Sequence, residues 1–153
     1  MIKQIKSFFD QNLAQIGTNA TDASDEHRLH LATAALLIEM MKVDDELDER
    51  EHATILQGLQ SKFGLGSAET QEILRLAEIE AAEATDYFQF TSMINKHFTA
   101  DQRAKLVEYL WTIAFADGVA DAHEEHLVRR IADLIYVPHS EFIAAKQRAQ
   151  KLT

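Results

Sequence analysis

Apolar residues recur along this chain every three or four positions, the spacing of one face of an α-helix, and nowhere alternate with the two-residue period of a strand. Residues 2–16 begin the pattern, with Ile2, Ile5, Phe8, Phe9, Leu13 and Ile16 on one side and Lys3, Lys6, Asp10 and Gln11 on the other. Such a stripe either packs on its own domain or serves as a tethered helix that docks on a partner or a membrane interface. Residues 17–24 read as a loop or hinge. Over 25–43 the pattern changes character. Leu29, Leu31, Ala32, Ala35, Leu36, Leu37, Ile38, Met40, Met41 and Val43 make this segment apolar nearly all round, as in a central, buried helix.

An amphipathic helix over 48–63 follows, with Ala53, Ile55, Leu56, Leu59 and Phe63 on one face. Gly64-Leu65-Gly66 stops it, glycine supplying the left-handed residue that a helix C-terminus prefers. Ser67 caps the next helix, whose apolar positions are Ile73, Leu74, Leu76, Ala77 and Ile79. A helix from Thr85 through Phe98 bridges to Thr99-Ala100-Asp101-Gln102, a capping box. That box opens a second long apolar helix: Leu106, Val107, Tyr109, Leu110, Trp111, Ile113, Ala114, Phe115 and Ala116. Residues 121–136 are amphipathic again, Val137-Pro138-His139 breaks the chain, and Ser140 starts the last helix. Glu39 and Glu108 interrupt the two central helices. The pattern reads them as edge residues, with polar groups aimed at a site as the alternative.

Between central and amphipathic helix, each half carries the same acidic turn. Asp117 lies 73 residues after Asp44, as Asp121 does after Asp48 and Glu124 after Glu51. Ser140 follows Ser67 at the same interval. A period this long is a duplicated half-domain, not a solenoid unit. The pattern therefore predicts one all-α helical-bundle domain of about eight helices built from two similar halves, with the two central helices side by side. The domain spans about 25–150, with halves of about 25–82 and 99–151, and residues 1–20 precede it as an amphipathic helix and hinge.

Composition agrees. A chain of 153 residues with one Pro, five Gly and 46% apolar residues suits one helical globular domain. There is no Cys, which excludes disulfides, thiolate metal sites and thiol catalysis. A formal net charge of −10 argues against nucleic acid and anionic membrane surfaces as partners. No apolar run reaches the ~20 residues of a membrane span, and the start lacks the features of a signal peptide, so a cytoplasmic protein is expected.

Helix capping accounts for part of the doubled turn. Asp48 and Asp121 can accept from exposed amides while Glu51 and Glu124 reach back, and acidic groups complement a helix N-terminus. Capping does not account for Asp44 and Asp117, which close helices where the dipole disfavours negative charge. Six of the eight residues from Asp44 to Glu51 are acidic, and such crowding asks for a cation or a basic partner. Asp44, Asp48, Glu51, Asp117, Asp121 and Glu124 are the candidate ligands, and hard oxygens suit Ca²⁺, Mg²⁺ or Mn²⁺. The spacing is not that of an EF-hand, since the twelfth residue counted from Asp44 is Ile55 and from Asp117 is Val128. One Glu-x-x-His, Glu49 to His52, falls short of the doubled di-iron motif. His123 and His126 are surface residues or, if they face one side together, a transition-metal pair. No nucleophile motif and no phosphate loop is present, so no enzyme is expected.

The segments Met41 to Glu51 and Phe115 to Glu124, each after a long apolar helix, resemble the TerB-like family, the tellurite-resistance protein B group. The resemblance covers roughly residues 25–150. It implies an all-α domain of two similar halves with an acidic, metal-binding surface. It also implies a role in tellurite resistance or stress response and protein partners, among them membrane-associated complexes. Carried over by position, the implied site is the same six carboxylates. The sequence departs from the pattern at Asp45, where the second copy has Gly118. The expected function is a non-enzymatic helical module that binds a divalent cation, a protein partner, or both. The alternatives are a plain helical interaction domain whose acidic turns only cap helices, and a metal-dependent enzyme.

Overall fold

The computed structural model describes residues 2–12, 23–43, 49–83, 89–116 and 122–151. Within them the chain forms eight helices and no strand: α1 (Ile2–Asn12), α2 (Ala23–Val43), α3 (Glu49–Phe63), α4 (Ser67–Glu83), α5 (Gln89–His97), α6 (Ala100–Ala114), α7 (Ala122–Leu134) and α8 (His139–Lys151). The all-α expectation holds. The readings placed on 13–20 and 84–88, and on both acidic turns apart from their helical ends, lie outside the described residues.

The two apolar helices are the centre. Every residue from Leu31 to Met41 is buried, and α6 buries Leu106, Val107, Leu110, Trp111, Ile113 and Ala114. Helices without a polar face must be covered on all sides, and these two pack against each other. α4 lies on α2 and α8 on α6; α3 touches both α2 and α6, and α7 both α6 and α2. No described helix is long and apolar enough to cross a membrane. α1 belongs to the same core: Ile5 and Phe9 are buried, and the Phe9 ring lies 5.2 Å from that of His97 and 6.1 Å from that of Phe98.

Glu39 and Glu108 are not edge residues. Glu39 is 1% exposed and accepts from the Phe90 amide (2.8 Å), the Thr91 amide (3.2 Å) and the Thr91 hydroxyl (2.7 Å). A helix's first amides have no partner within the helix, and here a carboxylate on α2 answers those of α5. Glu108, also buried, accepts from Arg148 Nε of α8 at 2.9 Å and from Lys105 at 3.4 Å. An unpaired carboxylate would be too costly at either place, so each sits where donors converge.

The helix ends follow local chemistry. Thr99 Oγ1 accepts from the Gln102 amide, and Gln102 Oε1 from the Thr99 amide, completing the expected capping box. α4 begins at Ser67 itself, so the cap position belongs to Gly66, whose amide donates to Glu69 Oε1 at 3.2 Å. Likewise α8 begins at His139, one residue ahead of Ser140. Gly64 takes φ +63° at the end of α3, as its lack of a Cβ allows. At the end of α7 the left-handed residue is Tyr136, φ +58°, in a Schellman motif: Val137 N–H donates to Ala132 O and Tyr136 N–H to Asp133 O. Asn95 and Arg103 side chains take the Leu134 and Ile135 carbonyls. A left-handed L-residue costs roughly 1–2 kcal/mol, and Tyr136 recovers little by packing, being 74% exposed. Tyr136→Gly should therefore raise stability by about 1 kcal/mol, read as a melting temperature about 2–4 °C higher.

One aromatic cluster carries a pH dependence. His30 stacks on Phe63 with centroids 4.2 Å apart and meets the edge of Tyr109 at 4.7 Å. Burial holds the His30 imidazole below its usual pKa; Glu26 works against this, while His27 and Lys105 add to it. The Tyr109 phenol is pushed up to about 12, by burial first and then by Glu26 and Glu108. Below the ordinary histidine pKa of 6.5, the unfolded chain takes up a proton that the folded chain resists. Stability therefore rises with pH across the window from the depressed folded value to 6.5, and falls as the solution is acidified through it. His30→Phe should flatten this part of a urea-midpoint profile between pH 7 and pH 5.

Candidate functional site

Glu51 and Glu124 occupy the same place in their helices, each being the third residue, of α3 and α7 respectively. Acidic residues fill both first turns, Glu49 and Glu51 in one and Glu124 and Glu125 in the other. The two turns meet. Glu51 Oε2 lies 2.9 Å from His123 Nδ1, joining residues 72 apart in the chain across the two copies of the motif. The Glu51 side chain is 20% exposed and His123 54%, so the contact faces solvent on one side. Glu124 borders a narrow cleft with Leu37 of α2, Ile55 of α3 and Ile113 of α6, which sets it beside α3 as well. Two helix N-termini thus converge, and their summed dipoles make the place hospitable to carboxylates.

The sequence nominated six carboxylates. Glu51 and Glu124 are brought to this junction, while Asp44, Asp48, Asp117 and Asp121 lie outside the described residues. Among the described residues no group of three or more His, Asp or Glu side chains is disposed to hold a metal ion. The oxygens of Glu51 and Glu124 are hard donors of the kind that bind Ca²⁺, Mg²⁺ or Mn²⁺. His52, next to Glu51, buries Nε2 with no hydrogen-bond partner, and an imidazole nitrogen of this kind would accept a borderline transition metal.

The suggested pairing of His123 with His126 does not form a joint site. His123 meets Glu51, while His126 lines a separate pocket with Trp111, Arg129 and Lys146. The Glu51–His123 contact was not visible in the sequence.

A helical bundle in which two acidic helix starts meet is the class that fold and site define. A family model for tellurite resistance protein TerB matches residues 30–147, which is most of the domain and well over half of the chain. The chain belongs to the TerB family. No match is found among curated proteins or among solved structures.

Proposed function

We propose that this TerB-family helical module is a non-enzymatic binding protein of the cytoplasm, acting in tellurite resistance or a related stress response. Its doubled acidic turn takes one divalent cation, Ca²⁺, Mg²⁺ or Mn²⁺, through Asp44, Asp48, Glu51, Asp117, Asp121 and Glu124, and presents it to a protein partner. The observation that carries this reading is the 2.9 Å contact between Glu51 and His123, because it joins the helix starts that follow the two turns. The exchange of contacts supports it: α3 reaches across to α6 as α7 reaches across to α2, the reciprocity expected of two related halves about a pseudo-twofold axis. In the sequence Asp44 and Asp48 precede α3 and Asp117 and Asp121 precede α7, and carboxylates gathered on one site need a counter-ion.

Thermal shift with Ca²⁺, Mg²⁺, Mn²⁺ and Zn²⁺ tests the proposal. A selective rise in melting temperature, lost when Asp44→Asn and Asp117→Asn are combined, is the expected result. No response at millimolar levels of any of the four would leave a helical interaction domain whose acidic turns only cap helices. That second reading has its own support, since acidic residues in the first turns of α3 and α7 already complement the dipoles.

A further inference from the structure

A pocket of about 260 Å³ opens between α6, α7 and α8, and none of the six carboxylates takes part in it. Its walls combine two aromatic rings with two cations, in a chain whose net charge is −10. Lys146 Nζ lies 5.1 Å from the centre of the Trp111 ring, and the Arg129 guanidinium 5.6 Å from that of Phe142. Lys146 also meets Glu125 at 3.0 Å, whereas Arg129 makes no ion pair among the described residues. Trp111 is 1% exposed, and its buried indole N–H has no acceptor. Ile143, one of two exposed large apolar residues among those described, extends the apolar wall at the rim.

Each of these features asks for the same kind of occupant. A guanidinium without a carboxylate beside an ammonium held by only one forms a receptor for a carboxylate or a phosphate. The rings lie beneath the cations and are almost wholly covered, so the apolar contact open to a flat group is with Ile143 and the ring edges that reach the pocket. The volume is below the ~300–1,000 Å³ of pockets for drug-sized ligands, which limits the occupant to a single ring with its charged head. We propose that this pocket binds a small aromatic anion, its carboxylate or phosphate held by Arg129 and Lys146 and its ring set against Ile143 at the rim and the ring edges of Phe142 and Trp111.

Trp111 is the only tryptophan in the chain, so fluorescence excited beyond tyrosine absorption has a single source, at this pocket. The full chain would be titrated with phenyl phosphate, with benzoate and with a short acidic peptide, and with inorganic phosphate and sodium chloride at matched ionic strength. A saturable change with at least one aromatic anion is expected, with weaker binding of inorganic phosphate and none of chloride. Arg129→Gln and Lys146→Gln should each weaken the affinity about ten-fold or more, since each removes a charge-assisted contact. Glu125→Gln should tighten binding by relieving repulsion of the anionic head, a gain that a folding defect does not produce. An equal response to chloride, or affinities unchanged in Arg129→Gln and Lys146→Gln, would overturn the proposal. So would a response to an acidic peptide with none to either aromatic anion, which would make the pocket a contact for a protein partner.

Discussion

Replacing Glu39 by Ala should destabilise the protein by about 3–5 kcal/mol, a large part of the 5–15 kcal/mol typical of a domain. Two backbone amides and a hydroxyl would lose their acceptor where water cannot replace it, and a cavity would remain between α2 and the start of α5. Glu39→Gln should cost less, because its oxygen still accepts while its amide faces donors. Hydrogen exchange separates this account from general loosening. The amides of Phe90 and Thr91 should lose protection before those of α6, because α5 frays first when its N-terminus has no acceptor.

Phe9→Ala is the second large effect, at about 3–5 kcal/mol, or on the order of 10 °C in melting temperature. The ring is fully buried between α1 and α5, against His97 and Phe98. Among the described side chains of α1 it and Ile5 are the buried apolar ones, so its removal should release α1 before the rest of the bundle opens. Protease cleavage confined to the first twenty or so residues in the variant would show this. Equal protection of α1 in variant and wild type would mean that α1 is held by something other than Phe9.

Much of this architecture could be read from the chain because helices are specified locally. The all-round apolar run of Leu31 to Met41, the reciprocal box of Thr99 and Gln102, and the stop at Gly64 each depend on residues within a few positions of one another. Glu39 was misread for the opposite reason. Its donors lie 51 and 52 residues further along, and a lone carboxylate in an apolar helix looks the same whether it borders solvent or caps a distant helix. Glu108 has the same history, with Arg148 40 residues away. Tyr136 left no sign in the sequence because a Schellman motif is set by the path of the backbone, and a tyrosine does not advertise the left-handed position as a glycine does. Of the candidate site, the position of Glu51 and Glu124 in the first turns of their helices was legible from the chain. The contact that joins those starts was not, since a histidine beside an acidic turn gives no sign of which copy it will meet.

Calorimetric titration of the full chain with Ca²⁺, Mg²⁺ and Mn²⁺, reading stoichiometry, bears most directly on whether the paired helix starts share a cation. The account predicts one ion per chain, with binding lost in Asp44→Asn alone and equally in Asp117→Asn alone, because each half supplies part of a single shell. Two ions per chain, each lost with its own aspartate, or no heat with any of the three, would contradict it.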